Sequence, residues 1–174
     1  MAKVYEFKRT QLLPIGLDQA WNFFSDPRNL KELTPPHLNL VVTNGLYGDR
    51  MYPGQIITYR VKPLLGIPIN WVTEITHVVD KVLFVDEQRF GPYALWHHQH
   101  HFKEVPEGVF MTDIVHYAIP FGFIGRMMQP LVIQKELEKI FQYRFEKAEA
   151  LFGKANRSLT NLPKRNAGGI ISRP

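Results

Sequence analysis

Four histidines within five positions, in the segment His97-His98-Gln99-His100-His101, are the residues of this 174-residue chain with the clearest chemical potential. Imidazole can bind a metal, move a proton near neutral pH or hold a polar group of a ligand. The run 94–105 around them is typical of a β-strand, in which successive side chains point to opposite faces. His97 and His101 share the more polar face. The aromatic face is expected to point inward, and it carries Trp96, His98, His100 and Phe102.

The partners of the inward histidines depend on the turn at Pro106-Glu107-Gly108, which leads into the strand-like run 109–119. A two-residue Glu-Gly turn gives one set of pairs: His98 with Tyr117, His100 with Val115 and Phe102 with Asp113. A three-residue Pro-Glu-Gly loop gives another set: His98 with His116 and His100 with Ile114. Turn chemistry alone leaves both registers open.

Three kinds of chemistry are open to this cluster. Zinc binding by His98, His100 and Asp113 would require a tightly curled sheet, because each ligand must lie ~2.0–2.2 Å from the ion. Acid–base catalysis would use His98 beside Tyr117, or His100 near Asp113. Binding without turnover needs the same groups only to orient a carbonyl or hydroxyl. We predict no metal and no cofactor, we favour binding over catalysis, and we leave open whether the protein is an enzyme.

The other elements follow from hydrophobic periodicity and from turn residues. Residues 3–13 alternate as a first strand, and short gaps between later strands predict an antiparallel meander. From Pro130 the apolar period changes to three and four, which predicts one long helix ending at Gly153. A helical turn is expected at 123–129. The later strand-like runs are 38–44, 54–63, 68–76, 81–89, 94–105 and 109–119.

Two short helices are predicted between the first two strands. Gly16 is a suitable N-cap for the first helix. Asp26 can cap the second helix, and Pro27 can occupy its first position, where a missing N–H costs nothing. The segment Thr34-Pro35-Pro36 ends that helix, because a residue before proline is disfavoured in the helical region.

This order of elements predicts an α+β fold, in which a curved antiparallel sheet of seven strands wraps the long C-terminal helix. The two short helices would support that helix and close one end of the sheet. The long helix cannot fill the inward face of the sheet along its whole length. We therefore expect a cavity, which is the common location of a small-molecule site.

Four stretches of the chain carry a family resemblance: Phe-Phe-Ser-Asp-Pro-Arg-Asn-Leu-Lys-Glu-Leu-Thr-Pro-Pro (23–36), Gly-Pro-Tyr-Ala-Leu-Trp-His-His (91–98), Thr-Asp-Ile-Val-His-Tyr (112–117) with Pro120-Phe121-Gly122, and Ile-Phe-Gln-Tyr-Arg (140–144). They resemble the SRPBCC superfamily, also called START-like or helix-grip, and most of all its polyketide cyclase/dehydrase-like ligand-binding branch. The resemblance spans residues 3–153 and implies a helix-grip fold. Asp, Val and Tyr at alternate positions 113, 115 and 117 also resemble the family pattern, which favours the first of the two registers.

We predict a site between the sheet and the long helix that binds a hydrophobic small molecule of lipid-, polyketide- or isoprenoid-like character. The alternatives are a cyclase or dehydratase that uses the His, Tyr and Asp groups, and a lipid chaperone or interaction module. Met127, Met128 and Leu131 could form an adaptable rim. The predicted ligand-binding residues are Tyr59, Trp71, Phe84, Trp96, His98, His100, Phe102, Asp113, Tyr117, Met128 and Leu131.

Composition limits the class of protein. A hydrophobic content of 45% and a charged content of 21% are ordinary for a globular domain. No apolar run approaches the ~18 residues of a membrane span. The chain has no cysteine, which excludes thiol catalysis and cysteine-based zinc sites. The first residues lack the apolar core of a signal peptide, so we predict a cytoplasmic location.

The net charge of +5 comes from the C-terminal tail, because residues 154–174 hold five basic residues and no acid. The remaining 16 Lys and Arg balance the 16 Asp and Glu of residues 1–153. We therefore predict one ligand-binding domain at 1–153 and a basic, flexible tail at 154–174. A neutral domain argues against a specific nucleic-acid partner, although the tail could contact an anionic membrane surface weakly.

Overall fold

The computed structural model describes residues 3–44, 50–62, 67–120 and 132–155. The strands are β1 (Val4–Leu13), β2 (Val41–Val42), β3 (Gln55–Val61), β4 (Ile69–Val79), β5 (Leu83–Phe90), β6 (Leu95–Val105) and β7 (Gly108–Ala118). The α-helices are α1 (Leu17–Phe24) and α2 (Gln134–Phe152), and two 3₁₀ helices span Pro27–Lys31 and Pro36–Leu38. The helical turn expected at 123–129 and residues 156–174 of the expected tail lie outside the described residues. The division at residue 153 stays a prediction.

The seven strands form one antiparallel sheet in the order β1-β7-β6-β5-β4-β3-β2. The sheet, the two short helical segments after β1 and the long helix α2 confirm the predicted α+β helix-grip architecture. The second strand is shorter than the predicted run 38–44. Its beginning is taken up by the 3₁₀ helix Pro36–Leu38, and Asn39 follows in the left-handed conformation with φ of 46°. Within the described ranges, no helix is long and apolar enough to cross a membrane.

Two irregularities bend the middle of the sheet. The pairing of β4 with β5 shifts between Val72 and Thr73 and again between Ile75 and His77. An extra residue in one strand increases local twist and bends the strand. The second shift also changes which positions of β4 point inward, since Ile75 is 1% exposed whereas His77 is exposed and Val78 packs on the core. The sheet therefore curves around α2 instead of lying flat.

The segment after β1 follows the predicted capping pattern. Asp26 precedes Pro27, and its Oδ1 accepts a hydrogen bond of 2.9 Å from the backbone N–H of Arg28. The second short helix is of the 3₁₀ type and ends at Lys31, several residues before Pro35. Trp21 and Phe24 of α1 pack against Phe102 with ring centroids 5.3 Å and 6.0 Å apart, so α1 closes one end of the sheet.

The long helix lies across β1 and buries Leu137, Phe141 and Ala148. Phe141 packs on Phe7 with ring centroids 4.6 Å apart. Two polar contacts fix the helix to the same strand: Arg9 Nη2 donates to Gln142 Oε1 at 2.7 Å, and Gln11 Nε2 donates to the Phe145 carbonyl at 3.0 Å. The helix ends at Gly153, as its sequence predicts, with φ of 92°.

The hairpin between β6 and β7 has neither of the predicted registers. His98 pairs with Val115, and His100 pairs with Asp113. Both predictions were wrong because they placed Gly108 in the turn, whereas Gly108 is the first residue of β7 and pairs with Val105. The observed pairing is displaced by two residues from the favoured register. A displacement of two keeps the strand faces unchanged, and His98, His100, Asp113 and Tyr117 are all buried.

Gly108 is the residue on which this hairpin depends most. Its φ is +136°, and a Cβ atom there would lie 2.0 Å from the carbonyl oxygen of Leu13. We expect Gly108→Ala to lower the free energy of unfolding by at least about 2 kcal/mol, because it combines backbone strain with a clash against main-chain atoms. Gly54→Ala is the matched control. Its φ is +87° with open space around it, so the expected loss is only about 1 kcal/mol. Urea denaturation measures both, and equal losses would contradict the predicted clash.

Candidate functional site

A cavity of about 360 Å³ lies between the inward face of the sheet, the two 3₁₀ segments and α2. The sheet contributes residues of β3, β4, β5 and β6, and α2 contributes the turns from Glu136 to Arg144. Most of the lining side chains are aliphatic or aromatic, and the polar ones are few. The period of two along each strand places alternate residues on this wall.

The structure brings many of the predicted site residues to one wall. Those that line the cavity are Tyr59, Trp71, Phe84, Trp96, His98 and His100. Three others are buried without lining it. Phe102 belongs to the core around Trp21, Tyr117 packs on Tyr5, and Asp113 contacts the two inward histidines. Met127, Met128 and Leu131 lie outside the described residues.

An aromatic group forms the apolar part of the wall. Trp71 and Trp96 meet edge to face at 5.5 Å, and Tyr59 stacks on Trp71 at 5.9 Å. Tyr93, which is not among the predicted site residues, completes the group at 4.8 Å from Trp96. Burial raises the pKa of the Tyr59 hydroxyl, which therefore stays protonated, and it lies 2.8 Å from Thr73 Oγ1.

A polar cluster interrupts the apolar wall where β5, β6 and β7 lie side by side. Asp86 Oδ2 lies 2.8 Å from His100 Nε2 and 3.3 Å from His98 Nδ1. Asp113 Oδ1 lies 3.1 Å from His98 Nε2 and 2.8 Å from His100 Nδ1. Each imidazole therefore contacts both carboxylates, one through each ring nitrogen. Phe84 stacks on His100 with ring centroids 4.1 Å apart and holds that ring in place.

Burial and charge act against each other in this cluster. Burial alone would raise the pKa of the Asp113 carboxyl. The Arg144 guanidinium, together with the hydrogen bonds from the two histidines, outweighs burial and holds that pKa well below its usual range. Burial also opposes the charged form of Asp86, but the nearby histidines lower its pKa overall. Burial lowers the pKa of His98, so the structure favours ionised carboxylates beside a neutral ring.

Arg144 supplies the positive charge from α2. Its Nη2 lies 3.3 Å from His100 Nδ1, and its Nε lies 3.8 Å from Asp113 Oδ2. The side chain is 13% exposed and lines the cavity. Its Nε is buried and has no hydrogen-bond partner among the described residues, and the same is true of Trp71 Nε1. Arg144 and Trp71 line the cavity, but these two nitrogens lie beneath its surface, out of contact with solvent.

Asp86 and Arg144 line the cavity but are not among the site residues predicted from the sequence. Asp86 lies two positions after Phe84, which was predicted to point inward, so the strand period alone could have placed it on the same face. Arg144 falls within the apolar stripe of the long helix, between Phe141 and Ala148. A charged residue within a buried stripe is a signal for a buried partner.

No protein-family model matches the chain, and no curated protein matches it by sequence. Similar solved structures do exist. Protein Ms6760 from Mycobacterium smegmatis is 19% identical with a TM-score of 0.60, and the match covers 84% of this chain and 89% of that one. Major latex-like protein 151 from Panax ginseng is 12% identical with a TM-score of 0.63, covering 86% and 97% of the two chains.

A third similar structure is StfQ, a di-domain ARO/CYC from the steffimycin biosynthetic pathway. It is 14% identical with a TM-score of 0.60, and the match covers 87% of this chain but 53% of that one. The chain thus corresponds in length to about half of this two-domain protein. At these identities the similarity establishes the fold alone, which is the helix-grip arrangement of sheet and long helix described above.

Proposed function

We propose that the protein binds a hydrophobic small molecule of lipid-, polyketide- or isoprenoid-like character in the cavity between the sheet and α2. The observation that carries this proposal is the cavity itself, about 360 Å³ in volume and lined mainly by apolar side chains. Ligand pockets of ~300–1,000 Å³ with a few convergent polar groups are typical small-molecule sites. The cytoplasmic location stays a prediction.

The few polar side chains on the wall refine the chemistry of the ligand. His98, His100 and Arg144 line the cavity among mostly apolar neighbours. A small number of polar groups on an apolar wall usually fixes the orientation of a ligand through hydrogen bonds. We therefore expect a mostly apolar molecule that carries at least one carbonyl, hydroxyl or carboxylate oxygen. The aromatic group around Trp71 and Trp96 would contribute most of the affinity.

The polar cluster also favours a second candidate function, a cyclase or dehydratase that acts on a ligand of the same class. Two histidines and a carboxylate face the cavity, where a reacting oxygen would lie. Native mass spectrometry of the purified protein, followed by extraction, identifies the molecule that travels with it. Incubation of that molecule with fresh protein then separates the candidates. An unchanged mass supports binding alone, whereas loss of water or ring closure supports turnover.

A pair of substitutions on β3 tests the location of the site. Ile57 lines the cavity and is 2% exposed, whereas its neighbour Ile56 points to the other face and is 45% exposed. We expect Ile57→Trp to fill part of the cavity and to weaken binding of anilinonaphthalene sulfonate by roughly tenfold or more, or about 1.4 kcal/mol. Ile56→Trp adds the same side chain outside the cavity and should change binding less than twofold.

Dye fluorescence, excited outside the tryptophan band, measures both variants, and circular dichroism checks that each is folded. Val61→Phe is a second cavity-filling variant, because Val61 also lines the cavity. Equal dye binding by the unmodified protein, Ile57→Trp and Val61→Phe would place the dye elsewhere and would contradict the proposed site.

A further inference from the structure

Three potential metal ligands converge on the cavity wall. One ligand atom from each of Asp86, His98 and His100 lies within 4.8 Å of the others. Asp86 Oδ2 is 2.8 Å from His100 Nε2 and 3.3 Å from His98 Nδ1. Ligand atoms ~2.1 Å from one metal and 90–110° apart lie roughly 3.0–3.4 Å from each other. The two separations from Asp86 are close to that spacing, and all three ligand atoms lie within 4.8 Å of one another.

We propose that Asp86, His98 and His100 form a binding site for one divalent transition-metal ion, with Asp113 as the positioning residue behind both histidines. This inference goes beyond the proposed binding of an apolar molecule and does not depend on it. It also departs from the prediction of no metal. The metal site weighed in the sequence had Asp113 as its third ligand, whereas the ligand proposed here is Asp86.

The outer contacts of the histidines support this assignment. Asp113 Oδ1 lies 3.1 Å from His98 Nε2 and 2.8 Å from His100 Nδ1. These are the ring nitrogens that point away from Asp86. In metal sites, a ligating imidazole usually donates its other N–H to a carboxylate, which fixes the tautomer and turns the second nitrogen toward the ion. His98 Nε2 has this arrangement here, and His100 Nδ1 lies between Asp113 Oδ1 and Arg144 Nη2, which is 3.3 Å away. Arg144, at 3.8 Å from Asp113 Oδ2, balances the charge of that outer carboxylate.

The kind of metal follows from the ligands. Two imidazoles and one carboxylate suit zinc, iron(II), cobalt(II) or nickel(II) better than magnesium or calcium, which prefer oxygen ligands alone. All three side chains line the cavity, whereas Asp113 does not. Three protein ligands leave at least one coordination position open. That position would face the cavity, where an oxygen of the bound molecule could occupy it.

The test is titration of chelator-treated full-length protein with zinc chloride and cobalt chloride by calorimetry and visible spectroscopy. We expect one ion per chain with a dissociation constant on the order of 1 µM or lower. Asp86→Asn, which keeps the size of the side chain, should weaken binding at least roughly 100-fold. Asp113→Asn, which keeps the ligands but alters their support, should weaken it roughly 10–100-fold and change the cobalt spectrum.

The matched control is the double variant His97→Ala/His101→Ala, because these histidines lie on the opposite face of the same strand. Its dissociation constant for the metal should be within about twofold of that of the unmodified protein, because the substituted positions are independent of the proposed site. Circular dichroism verifies folding, and anomalous diffraction from zinc-loaded crystals locates the ion without any substitution. Two results would overturn the proposal. One is the absence of saturable metal binding by the unmodified protein. The other is metal binding that is lost in His97→Ala/His101→Ala but kept in Asp86→Asn. Binding of anilinonaphthalene sulfonate is measured in parallel on the unmodified protein. Dye binding without metal binding would contradict the metal site alone, and metal binding without dye binding would contradict the apolar site alone.

Discussion

Replacement of Arg144 by methionine is expected to lower the free energy of unfolding by about 3–5 kcal/mol, because it leaves buried carboxylates without their cation. Asp113 is 10% exposed and Arg144 is 13% exposed, so water screens their interaction poorly. Methionine keeps most of the apolar volume of the side chain, so the loss reports mainly on charge. Urea denaturation followed by circular dichroism gives the free energy. The same loss should lower the melting temperature by roughly 6–20 °C.

Two controls accompany this variant. Lys139, on the same helix, is 70% exposed and contacts Glu136 at 3.4 Å. Lys139→Met removes a cation from an exposed ion pair and should cost less than about 1 kcal/mol. The double variant Arg144→Met/Asp113→Asn removes the cation together with one carboxylate, and it should be more stable than the sum of the two single losses predicts. Equal losses for Arg144→Met and Lys139→Met would contradict the inferred role of the buried cation.

Replacement of Phe84 by alanine is expected to cost about 3–5 kcal/mol, the usual range for a large aromatic residue in a packed core. Phe84 is 2% exposed. Its ring stacks on His100 at 4.1 Å and meets Trp21 edge to face at 6.0 Å. The residue therefore connects the core beneath α1 with the polar cluster on the cavity wall. Its removal should both destabilise the protein and loosen the inward imidazole.

Phe90 provides the matched control on the same strand, because it is 74% exposed. Phe90→Ala makes the same chemical change at the surface and should alter the free energy of unfolding by less than about 0.5 kcal/mol. Thermal unfolding of the two variants measures the difference directly. A loss below about 1 kcal/mol for Phe84→Ala would show that this part of the core repacks without cost, contrary to the expectation.

Much of the fold could be predicted from local patterns. The alternation of apolar and polar residues identified six of the seven strands closely, and the change of period after Pro130 identified α2. Asp26 and Pro27 predicted the start of the second short helix through capping chemistry that acts within a few residues. These features depend on interactions between near neighbours in the chain, which a single sequence contains directly.

The inward faces of the strands could also be predicted, but the pairing between strands could not. His98 and His100 were placed correctly on the buried face, since only the period of two matters there. Their predicted partners on β7, in the favoured register, are displaced by two residues from the observed ones. The reason is that Gly108 pairs within the strand instead of forming the turn. That conformation requires close approach of the backbone at Leu13, which lies far away in the chain.

The sequence by itself therefore determined the order of elements and the side chains that face inward, because both follow from periodicities of two and 3.6 residues. Only the tertiary structure decided that Asp86 and Arg144 meet the two inward histidines. Those contacts join β5, β6, β7 and α2, and they depend on strand register, on the bulges of β4 and β5 and on the position of the helix. These are relations between distant segments, and they arise only when the sheet curves around the helix and the core packs.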